Sequence, residues 1–341
     1  LRAWLREGST KDPSFCRCFV KLVPLVREDR DFIRPVLSQV QRWMLRGPPS
    51  RRRRGLVLRR TRATVCMVLP VHSSTLDVSV GVLRSRFSQQ GSCWLRNDWR
   101  LTLKVSTWIQ QLVAELRSLH EKDGIAHCCI SPRTVLVGES GNLHLGDFLG
   151  KVQLLRLLKE GPDAVGAANM RWRMWYPAEV LCGSLRDGEM FMRRVDSWQL
   201  GVVIFYFLSG QHLFGDCSDP SSVCLNISAG RPVNLAMIAD APLFADLVLR
   251  LTAKNAEHRM LSQELDGHPV FWSMARTAAF VTGFTQQPAA VQRLATSLPQ
   301  LPFVAALMGL QRGGEDESPP VGSAIELLAN TGRSAEDDAR L

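Results

Sequence analysis

With 341 residues, 45% of them hydrophobic, the chain can bury a large core in one two-lobed domain or two smaller ones, which excludes a disordered polymer. Its net charge of +10 is lopsided: residues 1–62 hold 17 Lys and Arg against 5 Asp and Glu, and the remainder is close to neutral. A positive field confined to one end suits phosphates, anionic lipid or nucleic acid, or serves solubility alone.

Residues 15–26, FCRCFVKLVPLV, read as a strand carrying Lys21. Only Gly8 precedes that Lys, so no glycine-rich phosphate loop lies ahead of it. Pro35 opens a helix in which Val36, Leu37, Val40, Trp43 and Met44 recur at helical spacing up to Gly47. From Phe32 to Thr75 there is no acidic residue, so this helix has no Glu to pair with Lys21. Residues 48–62, PPSRRRRGLVLRRTR, form a basic loop, 63–71 a buried strand, and 72–76 the exit from it. Arg100 to His120 is a long amphipathic helix with Leu101, Leu103, Val105, Trp108, Ile109, Leu112, Val113, Leu116 and Leu119 on its apolar face. Val135–Val137 and Leu143–Leu145 are short strands about the Gly138–Gly141 turn. A buried helix follows at 196–209, then helices at 242–252 and 260–273, and a Gly-, Ser-, Pro- and acid-rich tail at 310–341, mobile apart from a short helix near 324–329.

The chemistry concentrates in HCCISPRT, His127 to Thr134, and in Asp147-Phe148-Leu149. Protein kinases carry H-R-D-x-x-x-x-N at such a place, followed by D-F-G: the first Asp accepts the substrate proton, and the Asn and the second Asp hold Mg²⁺. Here His127 keeps its place, but Cys128 replaces the Arg, Cys129 the base, Thr134 the metal-binding Asn and Leu149 the Gly. Between Leu149 and Trp175 there is no Ser, Thr or Tyr, so no activation-segment hydroxyl can be phosphorylated. That agrees with Cys128, because the lost Arg is the group that would clasp such a phosphate. Cys129 has two readings, a nucleophile assisted by His127 or a half-buried filler, and adjacency alone does not supply the geometry of Cys-His catalysis.

The ordered landmarks Lys21, His127, Asp147-Phe148, Pro177-Ala178-Glu179, Asp196 with Trp198 and Gly201, Arg259 and His268-Pro269 resemble a protein kinase over about residues 15–273. The resemblance implies an α+β, two-lobed fold with a truncated N-lobe at 1–72, a mainly helical C-lobe at 73–275 and a partly disordered extension at 276–341. It also implies that Glu179 pairs with Arg259, that Asp196 anchors the catalytic-loop backbone, and that Lys21 and Asp147 are the remaining nucleotide-directed residues. Asp147 alternatively bonds only its own loop. No cofactor is required on this reading, and ATP and Mg²⁺ bind weakly at most.

Within kinases, CFVKLVPL, WMLRG, LTLKVSTWIQQLVAELRSLH, GNLHLGDF and WQLGVVIFYFLSG resemble the rhoptry kinase family secreted by coccidian parasites. That family includes pseudokinases that act by binding kinases or host and vacuolar proteins. It implies a secreted scaffold or allosteric partner in the rhoptry, the parasitophorous vacuole or the host cell. The alternatives are a divergent active Ser/Thr kinase and a lipid- or polyanion-binding module that docks through Arg51, Arg52, Arg53 and Arg54. No aromatic residues interleave with that run, so no nucleic-acid partner is expected. Nine cysteines do not fix a compartment; Cys217 and Cys224 could staple a loop, and Asn226-Ile-Ser228 could be glycosylated, only in a secretory one. The longest apolar run, Leu200 to Leu208, is far short of the roughly 18–20 residues of a membrane span, so none is expected.

Overall fold

The computed structural model describes residues 2–7, 14–24, 59–60, 64–70, 74–75, 99–138, 141–146, 154, 170–184, 188–239, 241–287 and 289. The helix at 35–47, the run Arg51–Arg54, the segment from Asp147 to Leu149 and the tail at 310–341 lie outside them. Two compact units are present, Leu1–Trp94 with Thr107–Leu265, and Leu95–Ser106 with Asp266–Leu341.

The first unit holds two small antiparallel sheets. One has the order β1-β2-β4-β3, with β1 at Arg2–Glu7, β2 at Ser14–Pro24, β3 at Arg59–Arg60 and β4 at Thr64–Pro70. Lys21 lies in β2 opposite Met67 of β4. One expectation changes here: Arg59 and Arg60 leave the basic loop to pair with Cys66 and Val65, while β1 pairs with β2 ahead of Lys21. Extended Arg residues suit an edge strand, where charge discourages further pairing.

The other sheet runs β5-β6-β7, Ser74–Thr75, Val135–Val137 and Leu143–Leu145. Its edge strand β7 is held by helix α1, Trp99–Arg117. The N–H groups of Leu143 and Leu145 face the same edge, two residues or about 6.8 Å apart. Gln111 and Glu115 stand about one helical turn apart on α1, a near match to that spacing. Gln111 Oε1 accepts from Leu143 N–H at 2.8 Å, and Glu115 Oε2 accepts from Leu145 N–H at 2.6 Å. Trp108 Nε1 donates to the Gly141 carbonyl at 2.8 Å, closing the turn against the same helix. The apolar face of α1 from Val105 to Leu116 is buried, as is Leu119 in the turn that follows it.

After short helices α2, Met170–Arg173, and α3, Ala178–Leu181, the long helix α4 spans Glu189–Ser209. Every residue from Val195 to Phe205 is buried, the polar Asp196, Ser197 and Gln199 included, and from Leu200 to Leu208 the sequence is apolar on all sides. Gly201 lets α4 approach α6, Pro242–Leu251: a Cβ there would stand 2.7 Å from Thr252 Cγ2 and 2.8 Å from Leu251 Cβ. Between them lies α5, Pro220–Ala229, which pattern reading passes over. Its signals are local: Asp219 caps the Ser222 N–H, Pro220 occupies the first turn, and Gly230 closes the helix at φ +70°.

The helix expected at 260–273 is not formed. In its place are short 3₁₀ turns at Leu265–Gly267 and Pro269–Phe271. Pro269 lacks an N–H and disfavours helical backbone at His268, while the His268 ring caps the Val270 N–H.

In the second unit, α7 spans Met274–Thr285 with Ser273 as its N-cap. Phe280 meets Trp272 edge-on and stacks on Phe284, with centroids 5.1 and 6.1 Å away, and the Arg276 guanidinium lies 4.6 Å over the Trp272 ring. Among the described residues no helix is long and apolar enough to cross a membrane.

Candidate functional site

The loop from Ala126 to Thr134 leaves a π-helical turn at Ser118–Lys122 and is held from below by α4. Asp196 and Gln199, three residues apart, project from one face of that helix. Asp196 is completely buried and accepts the N–H groups of His127 and Cys128 at 2.7 and 2.6 Å. Its Oδ2 also meets His120 Nε2 at 2.8 Å, and the other nitrogen of that ring contacts Ser262 Oγ at 2.9 Å. Gln199 Oε1 accepts from Ile130 N–H at 2.9 Å while its amide donates to the Trp175 carbonyl at 3.0 Å.

Cys128 has φ +61°, in the left-handed region. A residue with a Cβ enters that region at a cost of roughly 1–2 kcal/mol, so neighbouring bonds must hold it there. Asp196 takes its N–H and the Tyr176 hydroxyl donates to its carbonyl at 2.7 Å. The Tyr176 hydroxyl is held well above its ordinary pKa, first by burial and then by the neighbouring Cys129 and Cys128. It therefore remains a proton donor.

His127 is fully buried, with Nε2 bonded to the Gly146 carbonyl at 2.9 Å and Nδ1 accepting the Cys129 N–H at 3.3 Å. Donation from Nε2 and acceptance at Nδ1 describe a neutral ring whose two nitrogens serve the backbone. A Cβ at Gly146 would stand 2.6 Å from Leu136 Cδ1, so any side chain there requires Leu136 to shift. Cys129 is half-buried. Thr134 is buried, and its hydroxyl donates to the Cys129 carbonyl at 2.5 Å and accepts the Ser131 N–H at 2.8 Å.

Glu179 in α3 meets Arg259 in a bidentate pair at 2.5 and 2.9 Å. The Arg259 side chain is fully buried and donates further to the carbonyls of Ala253 and Lys254 at 2.7 and 3.2 Å. Arg194 covers the same turn, donating to the carbonyls of Ala256 and Glu257. Behind the loop, His212 is completely buried: Nε2 donates to the Met174 carbonyl at 3.0 Å and Nδ1 accepts the Phe214 N–H at 3.2 Å. Burial lowers its pKa to about 3.

The structure thus brings His127, Cys129, Thr134 and Asp196 into one network, and Glu179 and Arg259 into a second. Lys21 is placed by backbone alone; Asp147 and Arg51–Arg54 fall outside the described residues. Sequence reading missed His120, Tyr176, Gln199 and the α1 clasp. Gln199 carried a signal, since i+3 from a buried Asp lies on the same helix face.

A family model for the protein kinase domain matches residues 78–271, more than half of the chain. The Aurora kinase of Schizosaccharomyces pombe is 30% identical over 177 residues, 51% of this chain and 45% of that protein. The serine/threonine-protein kinase/endoribonuclease IRE1a of Arabidopsis thaliana is 29% identical over 177 residues, 51% of this chain and 20% of that protein. Human serine/threonine-protein kinase ULK3 is 29% identical over 168 residues, 48% of this chain and 32% of that protein. The chain belongs to the protein kinase domain family and has its α+β fold. It spans less than half the length of these curated relatives.

Of the positions that hold the family's magnesium nucleotide, Thr134 is described and Asp147 lies outside the described residues. Mg²⁺ takes oxygen ligands in near-octahedral array. Thr134 presents one buried oxygen already engaged with Cys129 and Ser131, and Cys129 presents a soft sulfur. Among the described residues no group of three or more His, Cys, Asp and Glu could hold a metal ion.

Proposed function

We propose that the chain is a pseudokinase, a protein kinase fold that acts by binding rather than by phosphoryl transfer. One observation carries the reading: the loop keeps its backbone frame on Asp196, while the base position holds a thiol and the metal-ligand position a hydroxyl turned inward. Phosphoryl transfer depends almost wholly on positioning and charge neutralisation, so losing both groups removes several orders of magnitude of rate. The motifs around Lys21, α1 and α4 support placement among the secreted rhoptry pseudokinases, with a kinase or a host or vacuolar protein as partner.

A divergent active Ser/Thr kinase is the second reading, favoured by the names of the relatives, each of them a kinase. Incubation with labelled ATP and a panel of acceptor proteins separates the two. The pseudokinase reading expects no transfer and little nucleotide-dependent thermal shift with or without Mg²⁺. Transfer that disappears in Asp147→Ala overturns it.

A further inference from the structure

A cavity of about 380 Å³ opens in the first unit, with no residue of the His127–Thr134 loop in its lining. It lies among α3, the first turn of α4, the end of α5 and the turn at Lys254–Glu257. Glu179 lines it, with 14% of its side chain exposed while Arg259 behind it is fully covered. Phe191 gives an apolar face, Ser228 a hydroxyl, and Lys254 and Glu257 charges of opposite sign on one wall.

Cys182, the C-cap of α3, also lines this cavity. It is exposed, whereas Cys128 is buried and Cys129, Cys217 and Cys224 are half-buried. Burial pushes the Cys217 and Cys224 thiols up, which depletes the reactive thiolate. A cavity with a reachable thiol at its edge, both charge signs on its wall and an apolar face suits a ligand that is itself a charged, peptide-like thiol.

We propose that this cavity receives a zwitterionic low-molecular-weight peptide thiol, for which glutathione is the probe, as a mixed disulfide on Cys182. The ligand's ammonium and carboxylates find Glu257 and Lys254, and its backbone covers the open edge of Glu179. The co-reactant is the symmetrical disulfide. The Cys182 thiolate attacks one of its sulfurs, a new S–S bond forms as the old one breaks, and the leaving thiolate takes up the proton that Cys182 released. One sulfur of Cys182 is oxidised and one glutathione sulfur is reduced. The adduct touches none of the Asp196 network, so it forms on the folded protein whether or not phosphoryl transfer occurs.

The test compares three disulfides on the full chain at fixed thiol–disulfide ratios: oxidised glutathione, cystamine, which is only cationic, and dithiodiglycolate, which is only anionic. Occupancy at Cys182 is read by peptide mass mapping, with Cys182→Ser as the blank. Each equilibrium constant is divided by that of the urea-denatured chain, which removes the intrinsic difference between reagents. The normalised constant for glutathione should exceed both others by about threefold or more, the scale of one or two surface charge contacts. Lys254→Glu should remove most of that excess while leaving alkylation of Cys182 by iodoacetamide unchanged. Equal normalised constants for the three disulfides, or an excess that survives Lys254→Glu, overturns the proposal.

Discussion

The Thr134 hydroxyl donates to the Cys129 carbonyl at 2.5 Å, tying the residue at the metal-ligand position to the residue at the base position through the loop's own backbone. The same oxygen accepts the Ser131 N–H, so one buried hydroxyl serves the backbone of two half-buried loop residues. Thr134→Val keeps the shape and removes both bonds. The expected loss is about 1–2 kcal/mol, the net worth of the hydrogen bonds removed, and Thr134→Ser should recover most of it. Urea midpoints of the three proteins decide the matter; a Val variant as stable as the parent would show that the hydroxyl does not organise the loop.

Asp196 carries more. It accepts two loop N–H groups and the His120 ring with no exposure to solvent. Asp196→Ala strands those donors and releases Cys128 from its left-handed backbone, so the variant should lose at least about 3 kcal/mol or fail to fold. Asp196→Asn retains one acceptor and should fall between. Amide hydrogen exchange at His127 and Cys128 provides the local readout: protection unchanged in Asp196→Asn would mean that the carboxylate is not their anchor.

Arg259→Ala leaves the Glu179 carboxylate facing a vacated site and removes the donors to Ala253 and Lys254. Loss of one partner from such a pair costs about 3–5 kcal/mol. Arg259→Lys should rescue little, because an ammonium cannot make the two parallel bonds. The double change with Glu179→Ala should be milder than Arg259→Ala alone, since no orphan carboxylate remains. Thermal denaturation of the four proteins checks the order; a single Ala variant that melts with the parent contradicts a structural role for the pair.

Buried periodicity was legible wherever one long element faced one core. The apolar stripe of α1 and the buried run of α4 from 196 to 209 both read directly, whereas the first turns of α4, with Arg193 and Arg194, did not. Short elements did not. α5 has few buried positions, and its ends are marked only by Asp219-Pro220 and Gly230. The stretch at 260–273 looked helical because apolar residues recur in it, yet Pro269 breaks the hydrogen-bond ladder. Polar partners across the fold, such as His120 with Asp196 or Gln111 with Leu143, are 76 and 32 residues apart in sequence and leave no local trace.

His212 sets a pH dependence. Its folded pKa is about 3 against 6.5 for the free side chain, so the unfolded chain binds this proton first. The stability contributed by the neutral ring is fully present above pH 6.5 and is lost as pH falls from there toward 3. Between pH 7 and pH 5 the loss is about 2 kcal/mol from this group alone. His212→Asn should be less stable at pH 7 and yet lose less over the same interval. Parallel stability curves for the two proteins across pH 7 to 5 would assign the acid sensitivity elsewhere.

The run Arg51–Arg54 lies outside the described residues, and its prediction rests on sequence. Residues 46–62 hold eight Arg and no acid. If the run docks the chain on an anionic membrane surface, replacing the four by Ser should weaken recovery on phosphatidylserine vesicles and leave neutral vesicles unaffected. Added salt should weaken it as well, because exposed charges are screened over about 8–10 Å at physiological ionic strength. The melting temperature should barely move, since solvated surface charges contribute about 0–1 kcal/mol to folding. Flotation at two salt concentrations, with melting curves of both proteins, separates docking from damage. Equal recovery of parent and variant at low salt would make the run a solvated insert, and the binding surface of the chain would have to lie on another face.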